Sequence, residues 1–246
     1  MKIIKLDAID STNSFLKELA QTSVLEDYTI AVTKNQTLGR GQMNNGWHSK
    51  PNKNLTFSIF TRFKTLTTEH QPYLNFAVSL AIFEVLKSMS VPNLAIKWPN
   101  DIMSGKKKIC GILIETTFAK NRIKNTVIGI GLNVNQEKFP ENIPNASSLK
   151  NVMHQDFELD DLLDQLTKNI QRKIRQLEHQ QLDIIHQNYL HHLYKKDVPM
   201  AFKDERTQLF FMGMIKTVST CGKLQVQLED DSIVDFDIKE ISLATA

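Results

Sequence analysis

The chain has 246 residues, 41% hydrophobic and 23% charged, which suits a globular protein with one large domain or one domain and a small module. Its net charge is only +3, and Lys106-Lys107-Lys108 is the one run of three basic residues, so we predict no nucleic-acid partner. Two distant cysteines exclude a disulfide framework, and no apolar run approaches the ~20 residues that span a bilayer. The N-terminus lacks signal-peptide features, so we expect a cytoplasmic protein without membrane contact.

The first half of the chain alternates short strands with helices. The elements predicted from apolar periodicity are strands at 3–6, 28–33 and 55–60 and helices at 14–20 and 74–89. Side-chain oxygens in residues 10–13 are able to cap the first helix. The strand at 55–60 alternates apolar and polar residues as a half-buried strand does, whereas the helix at 74–89 has a core-facing apolar stripe.

The centre of the chain predicts a β meander flanked by helices. Strands are predicted at 94–98, 109–115 and 125–134, with a polar turn at 100–108 between the first two. This order favours an α+β fold with a mixed sheet over a parallel βαβ series. The stretch 158–196 is predicted to be helical, and its polar residues show no metal-ligand spacing and are expected to be solvated: His179, Asp183, His186, His191 and His192.

The composition changes after residue 197. Short alternating segments follow, at 203–211, 213–218, 223–228 and 233–236, separated by polar turns. We predict a small β-barrel appended to the main domain, which divides the chain into domains 1–197 and 198–246.

Residues 35–47, here called the Gly-rich loop, hold three of the nine glycines and one of the two tryptophans. Glycines that reach positive φ let successive N–H groups form an anion-binding nest, and Arg40 between Gly39 and Gly41 is able to bridge two oxyanions. Trp47 is able to pack on an aromatic ligand. A plain surface loop is the alternative that this segment alone leaves open.

Further polar segments interrupt otherwise apolar strands. They are Ser11-Thr12-Asn13, Lys97-Trp98-Pro99-Asn100-Asp101, Lys108 followed by Gly111 and Glu115, and Gly129-x-Gly131-x-Asn133. The cations Arg40, Lys97 and Lys108 with the carboxylate of Asp101 suit a nucleoside triphosphate and Mg²⁺. The sequence has no Walker P-loop, dinucleotide fingerprint or Gly-x-Ser-x-Gly elbow.

With these motifs in place, the first 150 residues or so resemble the biotin protein ligases. The most specific part is Lys-Trp-Pro-Asn-Asp followed by Lys-x-x-Gly-Ile-Leu-x-Glu, and residues 240–243 resemble the end of that family's SH3-like barrel. The resemblance implies a catalytic domain of the class II synthetase and biotin ligase type plus this barrel. It also implies that biotin is activated by ATP to biotinyl-5′-adenylate and transferred to a lysine of a biotin carboxyl carrier protein domain.

The resemblance implies roles residue by residue. The side chains that would anchor the ureido ring of biotin are Ser11, Thr12, Asn13 and Gln36. Arg40, with the N–H groups of Gly39 and Gly41, would hold the biotin carboxylate and the α-phosphate, and Lys108 would neutralise developing charge. Asn100 and Asn133 would recognise adenine, and Trp47 would pack on it. Asp101 would bind Mg²⁺ or position the incoming lysine, and the remaining implied site residues are Lys97, Gln42, Gly111, Gly129 and Gly131.

The chain departs from the family pattern in two places. The Gly-rich loop has Gln42 and Asn44-Asn45 where the family commonly has arginines, so weaker retention of the adenylate is our hypothesis. The site motif begins at Ser11, which leaves no room for a helix-turn-helix domain, and we expect no operator binding. We also expect the Gly-rich loop to order around biotin.

Two alternatives stay open from the sequence. One is a lipoate or octanoate ligase of the same fold, although the polar Ser-Thr-Asn and Gln36 favour a cyclic urea over an alkyl chain. The other is a non-catalytic biotin-binding module, which would not need the triphosphate-neutralising lysines. An exposed strand would pair with a carrier domain or with a second copy in a homodimer.

Overall fold

The computed structural model describes residues 2–244, which build two sheets and five helices. The elements of the first part are β1 (Ile3–Ile9), α1 (Thr12–Thr22), β2 (Thr29–Gln36), β3 (Leu55–Arg62), α2 (Gln71–Ser88), β4 (Leu94–Lys97), β5 (Asp101–Ser104), β6 (Lys107–Ala119), β7 (Arg122–Leu132), α3 (Leu149–Met153), α4 (Leu159–Glu178) and α5 (Leu182–His191). Those of the second part are β8 (Pro199–Asp204), β9 (Phe210–Val218), β10 (Leu224–Leu228), β11 (Ile233–Phe236) and β12 (Ile241–Leu243).

The large sheet is mixed, with strand order β1-β2-β3-β7-β6-β5-β4. Within residues 2–244 its one parallel pair is β1–β2, which α1 connects. Helix α1 covers one face, where Leu16 packs against Phe60, and α2 covers the other together with α4 and α5. The predicted α+β fold with a mixed sheet flanked by helices is confirmed.

Strand β3 differs from its prediction because it is buried on both faces. Phe57 and Ile59 point into the main core, while Ser58 and Phe60 lie under α1. The period-two alternation is therefore real, but its polar side faces a covered, polar region and not solvent. Ser58 is fully buried there.

Two other local predictions were wrong. The polar turn at 100–108 contains β5, which pairs with β6 through a turn at Gly105 with φ +58°. The segment 203–211 is two strands, because the Asp204 carboxylate accepts hydrogen bonds from the N–H groups of Arg206 and Thr207 and turns the chain. Helix α3 was not predicted.

The sequence predicted that the helix histidines are all solvated, and this prediction was wrong for two of them. His186 stacks on Phe76 with ring centroids 5.4 Å apart, and His192 stacks on Phe83 at 4.0 Å. Burial lowers the pKa of His192 to about 4. No group of three or more side chains suited to a metal ion occurs within residues 2–244.

The second sheet is antiparallel, with strand order β11-β10-β9-β8-β12, consistent with the predicted SH3-like barrel. It joins the first part through one continuous apolar core and through polar contacts. Trp98 Nε1 donates a hydrogen bond to Gly222 O at 2.9 Å, and His186 Nε2 donates to Val218 O at 2.6 Å. The boundary at residue 198 stays a prediction. No helix in the described residues is long and apolar enough to cross a membrane.

The two tryptophans provide a matched test of the contact between the sheets. Replacing either by Phe removes the same part of an indole ring, but Trp47 Nε1 has no hydrogen-bond partner within residues 2–244. We therefore expect Trp98→Phe to lower the free energy of unfolding by about 1 kcal/mol more than Trp47→Phe, measured by urea denaturation. Equal losses would contradict the role given to the Trp98–Gly222 hydrogen bond.

Candidate active site

A cavity of about 480 Å³ lies on the face of the large sheet that α1 partly covers. It brings together most of the predicted site residues, which are Ser11, Thr12, Asn13, Gln36, Arg40, Gly41, Gln42, Trp47, Asn100, Asp101, Lys108, Gly111, Gly129 and Gly131. Lys97, Gly39 and Asn133 do not line it. Asp101 is the one carboxylate among its described lining residues.

The first turn of α1 carries a fixed polar cluster at one end of the cavity. Ser11 caps the helix and accepts a hydrogen bond from Ser14 N at 3.4 Å. Thr12 N donates to Gln36 Oε1 at 2.9 Å, and the Thr12 and Ser58 hydroxyls lie 2.7 Å apart. Because these groups are buried and already paired, their positions are set before any ligand arrives.

Asn13 extends this cluster towards β6. Its Oδ1 accepts from Ser58 Oγ at 2.6 Å, and its Nδ2 donates to Glu115 Oε2 at 2.9 Å. Gly129 lies directly beneath, where a Cβ atom would collide with the Asn13 amide. A glycine is therefore required at this position for the amide to sit against the sheet.

Glu115 is also the carboxylate partner of the Gly-rich loop. Arg40 Nη2 donates to Glu115 Oε1 at 3.0 Å, and Lys17 Nζ donates to the same oxygen at 2.8 Å. Burial favours the neutral acid, but the hydrogen bonds from Lys17 and Asn13 and the charge of Arg40 outweigh it, so the pKa of Glu115 is lowered.

The Gly-rich loop folds into a small hairpin, which changes the predicted role of its glycines. Gly41 N donates to Asn45 O at 2.7 Å and Trp47 N donates to Gly39 O at 2.8 Å, so the Gly41 N–H is used within the loop. Neither Gly39 nor Gly41 has positive φ, and the predicted anion nest is not formed. Gly39 is needed for close approach instead, since a Cβ atom would collide with Trp47 O. The side chain of Asn44 lies outside the described part of the structure.

Trp47 lies flat on the sheet next to Lys108. Its ring covers Gly131, where any Cβ atom would collide with it, and Lys108 Nζ stands 5.7 Å from the ring centroid. The two glycines at 111 and 131, which are paired across β6 and β7, thus create the flat floor that an aromatic ring needs.

Lys108 and Asp101 form the charged part of the site. Lys108 Nζ lies 2.6 Å from Asp101 Oδ1, a close ion pair whose geometry is not that of a hydrogen bond. Asn100 is held to β6, because its Nδ2 donates to Ile112 O at 2.6 Å. Asn133 lies behind the cavity, where its Nδ2 donates to Ser147 O at 2.9 Å.

A second cavity of about 1020 Å³ lies between the two sheets and adjoins the first at Asp101 and Lys108. Its apolar floor comes from both parts of the chain, and its charged lining residues are Lys97, Asp101, Lys106, Lys108, Lys195 and Lys239. Five lysines against one carboxylate make this the most basic region near the site. The predicted site residue Lys97 belongs to this second cavity.

The Biotin/lipoate A/B protein ligase family matches residues 6–133, which is more than half of the chain and includes nearly all of the residues described above. The chain belongs to this family.

Curated relatives match more than half of the chain. The bifunctional ligase/repressor BirA of Bacillus spizizenii is 33% identical over 148 residues, which cover 59% of this chain and 45% of the relative. The biotin–acetyl-CoA-carboxylase ligase of Mycobacterium tuberculosis is 32% identical over 143 residues, covering 56% and 51%. The matched region thus spans about half the length of these relatives.

A solved structure extends the likeness of fold to the whole chain. The biotin protein ligase from Aquifex aeolicus in complex with biotin and ATP superimposes with a TM-score of 0.81, covering 100% of this chain and 99% of that one at 24% identity. At this identity the match shows a shared fold, including the second sheet.

Several residues of the site were not among those predicted from the sequence. Ser58 sits in a strand that showed only ordinary alternation, and Ser14 and Lys17 lie on a short helix with no motif. Glu115 stood in the quoted family motif without a role. Lys239 comes from the turn between β11 and β12 and, with its neighbour Ile238, lies more than 100 residues along the chain from the other lining residues, and no local signal indicates it.

The lowered pKa of Glu115 predicts how stability depends on pH. An acid whose pKa is lower in the folded state stabilises the fold above its ordinary value, here 4.5, and loses that contribution as pH falls through the folded-state pKa. We expect the free energy of unfolding, measured by urea denaturation, to be higher for wild type than for Glu115→Gln at neutral pH. The difference should shrink below pH 4.5. A difference that stays constant into acid would contradict the assignment.

Proposed function

We propose that the chain is a biotin protein ligase that activates biotin with ATP and transfers it to a lysine of a biotin carboxyl carrier protein domain. The observation that carries the proposal is a pair of adjoining cavities, the first with a prepaired polar cluster and the second with a lysine-rich lining, which share Asp101 and Lys108. The reaction places a neutral ureido ring, a carboxylate and a triphosphate in line, and these need such surroundings. Cys110 and Cys221 form no disulfide in the described residues, in keeping with the cytoplasmic location that we propose.

The polar cluster supports biotin as the acid. Gln36, Thr12 and Asn13 present amide and hydroxyl groups held by other buried groups, so a ligand with matching donors and acceptors loses little entropy on binding. An alkyl chain such as that of octanoate offers these polar groups no hydrogen-bond donor or acceptor and would take their exposed atoms out of water, which costs binding energy. This favours biotin over the acids of the related ligases.

The charged wall supports ATP as the second substrate. Lys108 faces the first cavity, and Lys239 and Lys97 continue the positive charge into the second. Asp101 is the one carboxylate in the described lining of either cavity, which fits Mg²⁺ bound through one carboxylate with the phosphates completing its shell. Such an ion would neutralise phosphate charge. Asp101 would then bind the ion in place of its ion pair with Lys108.

In the first step a biotin carboxylate oxygen attacks the α-phosphorus of ATP, and the bond to the β-phosphate oxygen breaks to release pyrophosphate. Lys108 stabilises the negative charge that develops on the α-phosphate oxygens. In the second step the neutral amine of the carrier lysine attacks the acyl carbon, AMP leaves, and an amide forms. The amine loses a proton in this step, and Asp101 is the one carboxylate in the described lining of the cavity that is able to accept it.

Pyrophosphate release separates the proposal from its alternatives. The purified chain is incubated with ATP, Mg²⁺ and biotin, lipoate or octanoate in parallel, without any carrier. We expect release with biotin and little with the other two acids. Release with lipoate or octanoate instead would identify a ligase for that acid, and biotin binding without release would identify a non-catalytic module.

Lys108 and its neighbour Lys107 give a matched test of the charged wall. Lys107 Nζ donates to Pro144 O and does not line the first cavity. We expect Lys108→Ala to slow biotin-dependent pyrophosphate release by about 100-fold, close to 3 kcal/mol, because it removes transition-state charge stabilisation. Lys107→Ala should stay near wild type. Equal effects of the two substitutions would contradict the role of Lys108.

A further inference from the structure

Glu115 contacts both the polar cluster at the start of α1 and the Gly-rich loop. Its Oε2 accepts from Asn13 in the polar cluster, and its Oε1 accepts from Arg40 in the Gly-rich loop. The Glu115 side chain is only 17% exposed, whereas that of Arg40 is 44% exposed. Within residues 2–244 Glu115 is the one carboxylate that pairs with Arg40.

Beyond Asn13 the hydrogen bonds continue to the first turn of α1. The Ser58 hydroxyl gives its single hydrogen to Asn13 Oδ1, and Thr12 Oγ1 lies 2.7 Å from Ser58 Oγ and 3.1 Å from Gln36 Oε1. The Asn13 amide is thus held at both ends, by Ser58 and by Glu115, and cannot turn without breaking both contacts. These contacts hold the Asn13 amide in place before any ligand arrives. A ligand bonded to the cluster would make this arrangement more stable, and with it the orientation of the Glu115 carboxylate.

We infer that Glu115 is a positioning residue that couples biotin binding to the closure of the Gly-rich loop. The inference rests on the proposed function for the identity of the ligand. Asn13 orients the carboxylate, and the carboxylate holds the fork of Arg40 with Ser14 Oγ accepting a further hydrogen bond at 3.2 Å. Glu115 lies outside the lining of the cavity and acts through these neighbours.

A purely structural ion pair is the competing explanation, and the chain contains one with the same chemistry. Glu84 accepts from Arg172 at 2.7 Å and from Asn169 at 3.2 Å, and pairs with Lys173 at 2.6 Å. This set joins α2 to α4 and lines neither of the two cavities of the site. Glu84→Gln is therefore a matched control for Glu115→Gln, because Glu84 has the same types of partner but lies outside the site.

Hydrogen exchange of residues 39–47, measured with and without saturating biotin, tests the coupling without ATP. In wild type and Glu84→Gln we expect biotin to slow exchange at Gly41 and Trp47, whose N–H groups close the hairpin, by about tenfold or more. In Glu115→Gln, biotin should slow it by less than about twofold. Equal slowing in all three proteins would overturn the inference.

Biotin affinity, measured by calorimetry in a double-mutant cycle with Arg40→Gln, provides the second readout. We expect Glu115→Gln to weaken biotin binding about tenfold in wild type, within the usual range for coupled sites, and by less than about twofold when Arg40 is already Gln. A full effect in both backgrounds would show that Glu115 acts independently of Arg40 and would overturn the inference.

The failure of the inference is distinguishable from that of the proposed function. If wild type binds no biotin in the calorimeter, the proposed function fails and the inference with it. If wild type binds biotin and Glu115→Gln behaves like Glu84→Gln, only the inference fails. If Glu115→Gln does not fold, the exchange experiment is done with Arg40→Gln, in which Glu115 keeps its contacts with Lys17 and Asn13. We then expect biotin to have no effect on exchange at Gly41 and Trp47 in this variant. An unchanged effect would overturn the inference.

Discussion

The buried polar face of β3 and the groups that satisfy it are the constraint on which the site depends. Ser58 is fully buried beneath α1 and would destabilise the fold without a partner. Its hydroxyl is paired with Thr12 and Asn13, and Asn13 in turn reaches Glu115 on β6. One hydrogen-bond network therefore fixes α1 on the sheet and builds the polar end of the cavity.

Two consequences follow for the rest of the site. Because the network places the Asn13 amide against the sheet, Gly129 is required beneath it, while Gly131 and Gly111 leave a flat floor for Trp47. Positive charge concentrates away from the polar cluster, where Lys108 and the lysines of the second cavity lie with Asp101 as their one acidic neighbour in the described lining. This division of the cavity suits a substrate with a neutral ring and a charged tail.

Local pattern was enough to predict the fold class and the core helix α2, because each depends on nearby sequence, and the motifs that carry the family resemblance include most of the polar residues that line the first cavity. The close packing of the Gly-rich loop was not predictable, since the Gly41 N–H bonds to Asn45 O only once the hairpin has closed. Ser58 and Lys239 were missed for a related reason: β3 pairs with β7, and the second sheet packs on the first, across long separations in sequence. Lys97 and Asn133 had a plausible motif, but Lys97 lines the second cavity and the Asn133 amide donates to Ser147 O, so neither lines the first cavity. The effect of Gln42 on adenylate retention stays a prediction.

The proposed reaction is tested most directly at the acceptor lysine. The chain is mixed with a biotin carboxyl carrier protein domain, biotin, ATP and Mg²⁺, and the carrier is examined by intact-mass and peptide mass spectrometry. The account predicts that one carrier lysine gains the mass of a biotinyl group, only when biotin, ATP and the chain are all present. An unmodified carrier, in a reaction where pyrophosphate is nevertheless released, would contradict it.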